Sequence, residues 1–542
     1  MDCFILLSFA FLLTTVLVPL FIKTGKKYGI IDKPTARKVH TNPIARTGGF
    51  AVFFGSMIPF ALYAPKNRLL LGIALGAGCI FVVGAIDDIR ELNCRWKFLG
   101  QLVAVCITLL VFRIRTPISI QLRSGLSINF RLLSLPFYFL FLVSSINIIN
   151  LADGLDGLAS GICLLIFCCT AFFAFISENY LVVVLCMCMM GGLIGFMRYN
   201  TYPAIVFLGD TGSLFLGYAV GVSMILLYAI DRITSPITPL FIIGVPIIDT
   251  SLVILDRYMD KRPIFQPDKN HLHHRLLKIG FKHNEAVMII YGMQLLMIVL
   301  AWLLWMTPDG VMLGIYLFLI TTAVLFLLAF KKKEITIPRI HGKQEQVQKQ
   351  EHRNHQLLSR NTVSSVAWHA LIGGMFLFCL SALLAVRSSI PKDIGFISLG
   401  LIPGILFLNR MNSKYIRQLL KLSAYFICLY LVYALDCQTR PMLSLYNTLF
   451  MGMGICYLVY IIASVESIPF FNMDCLFFGV IILVFFLSKT FPWLAGVESI
   501  VNHTLFTFFF IELIFSKYKE RKLLWPICLT LMATGTLAFC FS

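Results

Sequence analysis

Residues 158–176 read LASGICLLIFCCTAFFAFI, and residues 181–197 read LVVVLCMCMMGGLIGFM, with no charged side chain in either stretch. About 20 apolar residues in a helix are enough to cross the hydrocarbon core of a bilayer. Backbone amides in that core have no water to bond, so such a stretch is expected to be helical. Only residues 177–180 separate the two stretches. The pair therefore predicts two antiparallel membrane helices joined by a short turn.

Similar stretches recur throughout the first 330 residues and predict about eleven spanning helices. They lie near 3–22, 47–64, 69–86, 98–112, 132–149, 158–176, 181–197, 211–230, 237–255, 286–306 and 310–330. The first stretch lacks a basic leader and a small-residue cleavage site, which favours a membrane helix over a cleaved signal peptide. Of the 542 residues, 59% are hydrophobic and 13% are charged, against about 25% charged in soluble domains. The sequence predicts an all-α polytopic membrane protein.

Basic residues set the predicted orientation of these helices. They cluster in three segments, after the first, ninth and eleventh stretches: Lys23, Lys26, Lys27, Lys33, Arg37, Lys38 and Arg46; then Arg257, Lys261, Arg262, Lys269, Arg275, Lys278 and Lys282; then Lys331, Lys332 and Lys333. With eleven helices, all three segments fall on one side, which the positive-inside rule assigns to the cytoplasm. The net charge of +19 is thus explained by membrane orientation, and no nucleic acid is expected as a partner.

One basic loop falls on the opposite, external side. Residues 113–131 include the segment ISIQLRSGLSINF, in which polar and apolar residues alternate around Ser124-Gly125. Alternation on both sides of such a turn is typical of a β-hairpin. A small external hairpin is therefore predicted near 113–131.

The chain changes character after residue 330. Residues 331–363 are polar and rich in Lys, Gln and His, which predicts a cytoplasmic linker between the domain at 1–330 and a second domain. About seven further apolar stretches between 364 and 542 predict that second domain to be a bundle of membrane helices. It holds no evident catalytic constellation, so a scaffold, a lipid-handling module and a separate activity all stay open.

Acidic, amide and imidazole groups follow or close several predicted helices on the cytoplasmic side. Asp87 and Asp88 close the third; Asn147, Asn150, Asp153 and Asp156 lie in NIINLADGLDGLASG after the fifth; Asp210 lies in FLGDTGS after the seventh; His271, His273 and His274 lie in PDKNHLHHRLL after the ninth. Each motif alone has a structural interpretation, as a solvated helix end or an Asp-Gly turn. Carboxylates at membrane depth are costly, however, and usually functional. Because Mg²⁺ prefers oxygen ligands and substrate phosphates, the motifs together predict a site for a divalent cation and phosphates.

The motifs resemble the signatures of the polyprenyl-phosphate N-acetylhexosamine-1-phosphate transferases. They read AIDDIRELN, NIINLADGLDGLASG, FLGDTGSLFLGY and PDKNHLHHRLL, with RKVHTNPIARTGG in the early loop. The resemblance covers residues 1–330, and residues 364–542 depart from the family pattern. The order His271-Leu272-His273-His274 resembles the branch that transfers GlcNAc-1-phosphate. The branch that transfers phospho-MurNAc-pentapeptide typically carries three consecutive histidines.

The resemblance implies a reaction at the bacterial inner membrane with the active site on its cytoplasmic side. GlcNAc-1-phosphate passes from UDP-GlcNAc to undecaprenyl phosphate and UMP is released, as the first membrane step of a cell-envelope glycan. Mg²⁺ is the implied cofactor, with Mn²⁺ as an alternative, and a homodimer is compatible with the pattern. GalNAc and phospho-MurNAc-pentapeptide stay open as donor groups. A transporter is the alternative of another class, although transporters place ionisable residues in broken helices near the membrane midplane.

The resemblance also implies roles for individual residues. Asp87, Asp88 and Asp210 are the expected catalytic residues, and Asp210, Asp88 and Asp153 the expected metal ligands. The expected substrate-binding residues are Lys97 for a phosphate, Asn150 and Asp153 for the nucleotide–metal pocket, Asp156 and Phe207 for the uracil, and His271, His273 and His274 for the diphosphate or sugar. Asp87 is the expected contact of the acceptor phosphate. For Asp249, in VPIIDTSLV, two interpretations have equal weight: a structural partner of another polar group, and a functional residue.

Overall fold

The computed structural model describes residues 2–32, 43–114, 116–121, 127–231, 235–261 and 271–332. Its helices are α1 (Asp2–Tyr28), α2 (Gly48–Tyr63), α3 (Arg68–Arg90), α4 (Cys94–Phe112), α5 (Ser134–Ala152), α6 (Leu158–Ile176), α7 (Tyr180–Asn200), α8 (Gly209–Asp231), α9 (Thr238–Ile242), α10 (Gly244–Met259), α11 (Leu272–Ile279), α12 (His283–Leu304) and α13 (Asp309–Lys332). Its strands are β1 (Ile31–Asp32), β2 (Ile44–Ala45), β3 (Ser119–Gln121) and β4 (Ser127–Asn129), paired as two antiparallel hairpins. The all-α fold class is confirmed.

The predicted spans correspond to α1–α8, to α9 with α10, and to α12 and α13. Within the described residues, eight helices are long and apolar enough to cross a membrane, namely α1, α3, α4, α5, α6, α7, α8 and α12. Helices α2 and α13 contain shorter apolar segments. The protein is a multi-pass membrane protein, and large apolar side chains such as Leu110 and Phe318 are exposed on its surface. Such side chains are expected outside where lipid surrounds the helices.

The stretch predicted at 237–255 forms two helices, α9 and α10, with Ile243 between them. Helix α9 ends at Ile242 and α10 begins at Gly244. The fully buried Gln294 of α12 donates from Nε2 to the Ile242 carbonyl at 2.7 Å and accepts the Val245 N–H on Oε1 at 3.3 Å. The side chain of Gln294 thus bonds two backbone groups that would have been bonded within the helix if it were continuous.

Helix α8 lies at the centre of the bundle, and its apolar segment is completely buried. Glycines allow its neighbours to come close. A Cβ added to Gly84 of α3 would lie 2.5 Å from Thr211 Cα, and one added to Gly217 would lie 2.6 Å from Ile146 Cα of α5. Small residues at helix contacts are typical of membrane bundles because the backbones can then pack directly. The ends of α3, α5 and α8 are therefore held close together.

The hairpin predicted at 113–131 is confirmed as β3 paired with β4. Its Ser119 N–H donates to the Tyr228 hydroxyl at 3.0 Å, near the last turns of α8. Its Gln121 N–H donates to Asp309 Oδ2 at 2.6 Å, in the first turn of α13. The hairpin therefore lies at the end of α8 opposite to its N-terminal turn.

Some predictions fall outside the described residues. They concern the hairpin turn at Ser124-Gly125, the linker at 331–363 beyond Lys332, and the second membrane domain at 364–542. These stay predictions.

Candidate active site

The last turn of α3 meets the first turn of α8 at Asp88. Its Oδ1 accepts a hydrogen bond from the Asp210 N–H at 2.9 Å. Its Oδ2 accepts one from the Thr211 N–H at 2.9 Å and one from the Thr211 hydroxyl at 2.6 Å. The first amides of a helix have no partner within it, and a negative charge there is favourable. Asp88 therefore caps α8 and fixes the position of Asp210.

The turn before α8 requires Gly209. Its φ is +71°, a left-handed conformation that glycine adopts without steric cost. A Cβ at this position would also lie 2.7 Å from Asp88 Oδ2. Glycine in the FLGDTGS motif thus lets Asp88 approach the helix terminus.

Asp210 is the point at which polar side chains from several elements meet. Its Oδ1 accepts a hydrogen bond from Asn150 Nδ2 of α5 at 2.9 Å and also pairs with Lys97 Nζ of α4. Its Oδ2 lies 3.8 Å from the guanidinium of Arg46. Lys97 Nζ lies 2.9 Å from Asp87 Oδ2, so one ammonium joins two carboxylates. The structure therefore brings four of the predicted residues, Asp87, Lys97, Asn150 and Asp210, into one connected cluster.

Arg46 is a site residue that the motif analysis did not assign. Besides Asp210 it approaches Asp88, with Nε 4.0 Å from Oδ1. Its segment is fixed by backbone hydrogen bonds, from the Phe207 N–H to the Ala45 carbonyl at 2.8 Å and from the Gly48 N–H to the Phe207 carbonyl at 3.0 Å. The only signal in the sequence is its place in RKVHTNPIARTGG, which gives no role to any one residue.

The Asp-Gly turn after α5 carries Asp153 and Asp156. Asp156 Oδ2 accepts the Ala204 N–H at 3.0 Å, which ties this turn to the segment after α7. Asp153 has an exposed surface, yet it lies among protein groups that displace part of its hydration. This loss of hydration, followed by the negative charges of Asp210 and Asp88, raises the pKa of Asp153. Asp153 therefore belongs to the same electrostatic environment as Asp210 and Asp88.

The histidine motif joins the same turn. A Cβ added to Gly154 would lie 2.2 Å from His273 Nε2, so the imidazole packs directly on Gly154. The His271 and His273 rings are parallel with centroids 5.8 Å apart, and the His274 ring lies 4.3 Å from that of His273. Burial, followed by the nearby His274, lowers the pKa of His273 to about 4. His273 is therefore neutral near pH 7.

Two further polar residues of the motifs have structural partners. Asp249 pairs with the histidine motif, because its Oδ2 lies 2.9 Å from His271 Nδ1. Asn147 donates from Nδ2 to Gln101 Oε1 at 2.7 Å. Phe207 is placed by its backbone bonds to the Arg46 segment, and its stacking on a uracil stays a prediction.

The side chains around Asp210 fit a hard divalent cation by their chemistry. Carboxylate and amide oxygens of Asp210, Asp153 and Asn150 are the ligand type that Mg²⁺ prefers. In the ranges that the structure covers, no three His, Cys, Asp or Glu side chains form a ready set of metal ligands. Mg²⁺ commonly takes one or two carboxylates together with substrate phosphates. The proposed ligands Asp210, Asp88 and Asp153 stay predictions.

This chain is similar to known proteins. Residues 70–228 match the model described as glycosyl transferase family 4. A probable undecaprenyl-phosphate N-acetylglucosaminyl 1-phosphate transferase of Bacillus subtilis is 37% identical over 298 residues, which cover 53% of this chain and 81% of that protein. The undecaprenyl-phosphate alpha-N-acetylglucosaminyl 1-phosphate transferase of Escherichia coli is 31% identical over 339 residues, 59% of this chain and 87% of that protein. The decaprenyl-phosphate N-acetylglucosaminephosphotransferase of Mycolicibacterium smegmatis is 29% identical over 295 residues, 49% and 73% of the two chains.

A membrane bundle that brings carboxylate, amide and basic side chains together at its helix ends is suited to phosphoryl transfer, which depends on positioning and charge neutralisation. This chain belongs to glycosyl transferase family 4. Within that family it groups with the polyprenyl-phosphate GlcNAc-1-phosphate transferases, as the motifs predict. The transporter alternative is not favoured, because these relatives are phosphotransferases by name.

Proposed function

We propose that this protein transfers GlcNAc-1-phosphate from UDP-GlcNAc to undecaprenyl phosphate, giving undecaprenyl-diphospho-GlcNAc and UMP. The observation that carries the proposal is the set of contacts around Asp210. Lys97, Arg46 and Asn150 reach its two oxygens from three different elements, at the end of the bundle where Asp153 also lies. The substrates are those in the names of the Bacillus and Escherichia relatives, with the UDP-sugar as the donor.

The chemistry requires alignment of two phosphate groups and no covalent intermediate. An oxygen of the lipid phosphate attacks the β-phosphorus of UDP-GlcNAc, the bond to the bridging oxygen breaks, and UMP leaves with the electron pair. Lys97 and Arg46 already lie against the acidic cluster. When phosphates enter, both cations can bind phosphate oxygens, and the Arg46 guanidinium can do so through two N–H groups. Asp87, which shares Lys97 with Asp210, is assigned to orient the acceptor phosphate.

Asp210 and Asp153 are assigned to hold Mg²⁺ together with the donor diphosphate, with Asp88 beside them. The bound ion, or Mn²⁺ in its place, supplies charge neutralisation and a fixed geometry for the phosphates. Both oxygens of Asp88 accept hydrogen bonds from the first turn of α8. Direct coordination of the metal by Asp88 would therefore compete with these hydrogen bonds.

The remaining residues are assigned to donor recognition. Asp156 has one oxygen on the Ala204 N–H, which leaves the other for the N3–H of a uracil. Phe207 is assigned to stack on that ring. His273 packs on the Asp-Gly turn with His271 and His274 beside it, and the three are assigned to the diphosphate or sugar.

We also propose that this site faces the cytoplasm at a bacterial inner membrane. Support comes from the described basic residues in the last turns of α1, α10 and α11, namely Lys26, Lys27, Arg257 and Lys278, near the end of the bundle that carries Asp210. The β3–β4 hairpin at the other end of α8 is then external. A homodimer stays a prediction.

The direct test uses the purified full-length chain in detergent with UDP-GlcNAc, undecaprenyl phosphate and Mg²⁺. UMP release that requires the lipid, stops with EDTA and returns with Mg²⁺ is the expected result. Competition with UDP-GalNAc and UDP-MurNAc-pentapeptide tests the sugar, and UDP-GlcNAc should be preferred. Absence of UMP with all three donors would refute the proposal.

A further inference from the structure

Asp249 of α10 uses both carboxylate oxygens on the beginning of α11. Oδ2 lies 2.9 Å from His271 Nδ1, and Oδ1 accepts the Leu272 N–H at 2.7 Å. The side chains are largely buried, with 8% of His271 and 14% of Asp249 exposed. A carboxylate can only accept hydrogen bonds, so the proton of this contact resides on Nδ1. The contact therefore fixes both the tautomer and the plane of the His271 ring.

His271 is linked to the acidic cluster through a short series of contacts. Its ring is parallel to that of His273, and the His273 ring packs on Gly154 between Asp153 and Asp156. The two imidazole nitrogens lie on opposite edges of the ring. With Nδ1 bound to Asp249, Nε2 is the nitrogen left for a substrate.

We propose that Asp249 is a positioning residue that acts on the reaction through His271, an inference that rests on the proposed function. Asp249 holds the ring by Nδ1 so that the unprotonated Nε2 accepts a hydrogen bond from a hydroxyl of the donor sugar. Carboxylates that orient a functional imidazole in this way typically contribute about 10–100-fold to activity.

A purely structural role is the competing explanation. Asp249 also caps the N-terminus of α11 through the Leu272 N–H, and loss of a cap destabilises a helix by about 1 kcal/mol. Asp249→Asn separates the two roles. Its amide oxygen can still accept from Leu272, while its NH₂ group would face Nδ1 and favour the opposite tautomer.

The test measures UMP release and thermal stability of the full-length protein as wild type, Asp249→Asn, His271→Ala and the double variant. For Asp249→Asn we expect kcat to fall about 10–100-fold, with the KM for UDP-GlcNAc within about twofold and the melting temperature unchanged. In the His271→Ala background, Asp249→Asn should cost less than about twofold, because its effect passes through the imidazole.

Asp309→Asn is the matched control. Asp309 also accepts a backbone N–H, that of Gln121, but at the opposite end of the bundle, so its kcat should stay at the wild-type value. Independent, multiplicative losses in the double variant, or full activity of His271→Ala, would overturn the inference. If the activity of His271→Ala is too low to measure, Asp249→Asn alone decides. A lower kcat with the wild-type melting temperature supports the inference. A parallel fall in kcat and melting temperature overturns it. An inactive wild type with an inactive Asp309→Asn would refute the proposed function itself, and this inference with it.

Discussion

Thr211 donates two hydrogen bonds to Asp88, one from its backbone N–H at 2.9 Å and one from its hydroxyl at 2.6 Å. The pair joins the end of α3 to the beginning of α8, and Gly84 lets the two helices meet there. Asp88 also accepts the Asp210 N–H, so the position of Asp210 depends on it. The Asp-Asp motif and the Gly-Asp-Thr-Gly motif are thus two halves of one structural unit.

Thr211→Val should lower the stability of this unit. The substitution keeps the side-chain shape but removes the hydroxyl, which leaves a buried carboxylate oxygen with one donor fewer, at a cost of about 1–3 kcal/mol. We expect a lower melting temperature in detergent and reduced UMP release. The control is Thr321→Val, since Thr321 is exposed and its hydroxyl donates to the Leu317 carbonyl of its own helix. Equal melting temperatures of the two variants would show that the contact with Asp88 contributes little.

Asp210→Asn should abolish activity in a protein that still folds. Asparagine keeps the shape of the side chain but removes the charge on which Lys97, Arg46 and the proposed Mg²⁺ act. We expect UMP release to fall by about 100-fold or more, a loss typical of groups that organise charge in a transition state. Size-exclusion chromatography should give the wild-type profile. Near-normal turnover would rule out the metal role of Asp210.

Asp156→Ala should raise the KM for the UDP-sugar. Loss of one hydrogen bond to the uracil corresponds to about a tenfold change, or about 1.4 kcal/mol. The substitution also removes the acceptor of the Ala204 N–H, so Asp156→Asn serves as the second variant. Its oxygen can keep that bond while its NH₂ group opposes the uracil N3–H. An unchanged KM in both variants would count against uracil recognition by this residue.

Gly154→Ala should displace the histidine motif. The added Cβ would lie 2.2 Å from His273 Nε2, so the ring must move. A shift of about 1 Å in a positioned group can cost up to about 100-fold in rate, and we expect a loss between about 10-fold and 100-fold in kcat. Gly292→Ala is the matched control, because among the described residues no atom outside its own helix backbone lies within 4 Å of its added Cβ. Similar kcat values for the two variants would contradict a role for the contact between His273 and Gly154.

The sequence by itself determined the environment and the outline of this protein. Apolar stretches such as 158–176 indicate membrane helices because transfer into lipid depends on local composition alone. The acidic motifs could be placed at one end of the bundle because each of them closes or follows one of these helices. Alternation of polar and apolar residues likewise indicated the hairpin near 113–131.

Only the tertiary structure decided which polar groups are partners. Asp88 and Asp210 are 122 positions apart, and Asp249 and His271 are 22 positions apart. The approach of Arg46 to Asp210 and the break in the ninth span at Gln294 likewise depend on helices packed from distant parts of the chain. The hydropathy of a segment depends on that segment alone. A hydrogen bond between two helices forms only when they pack, so no pattern within either segment predicts the bond.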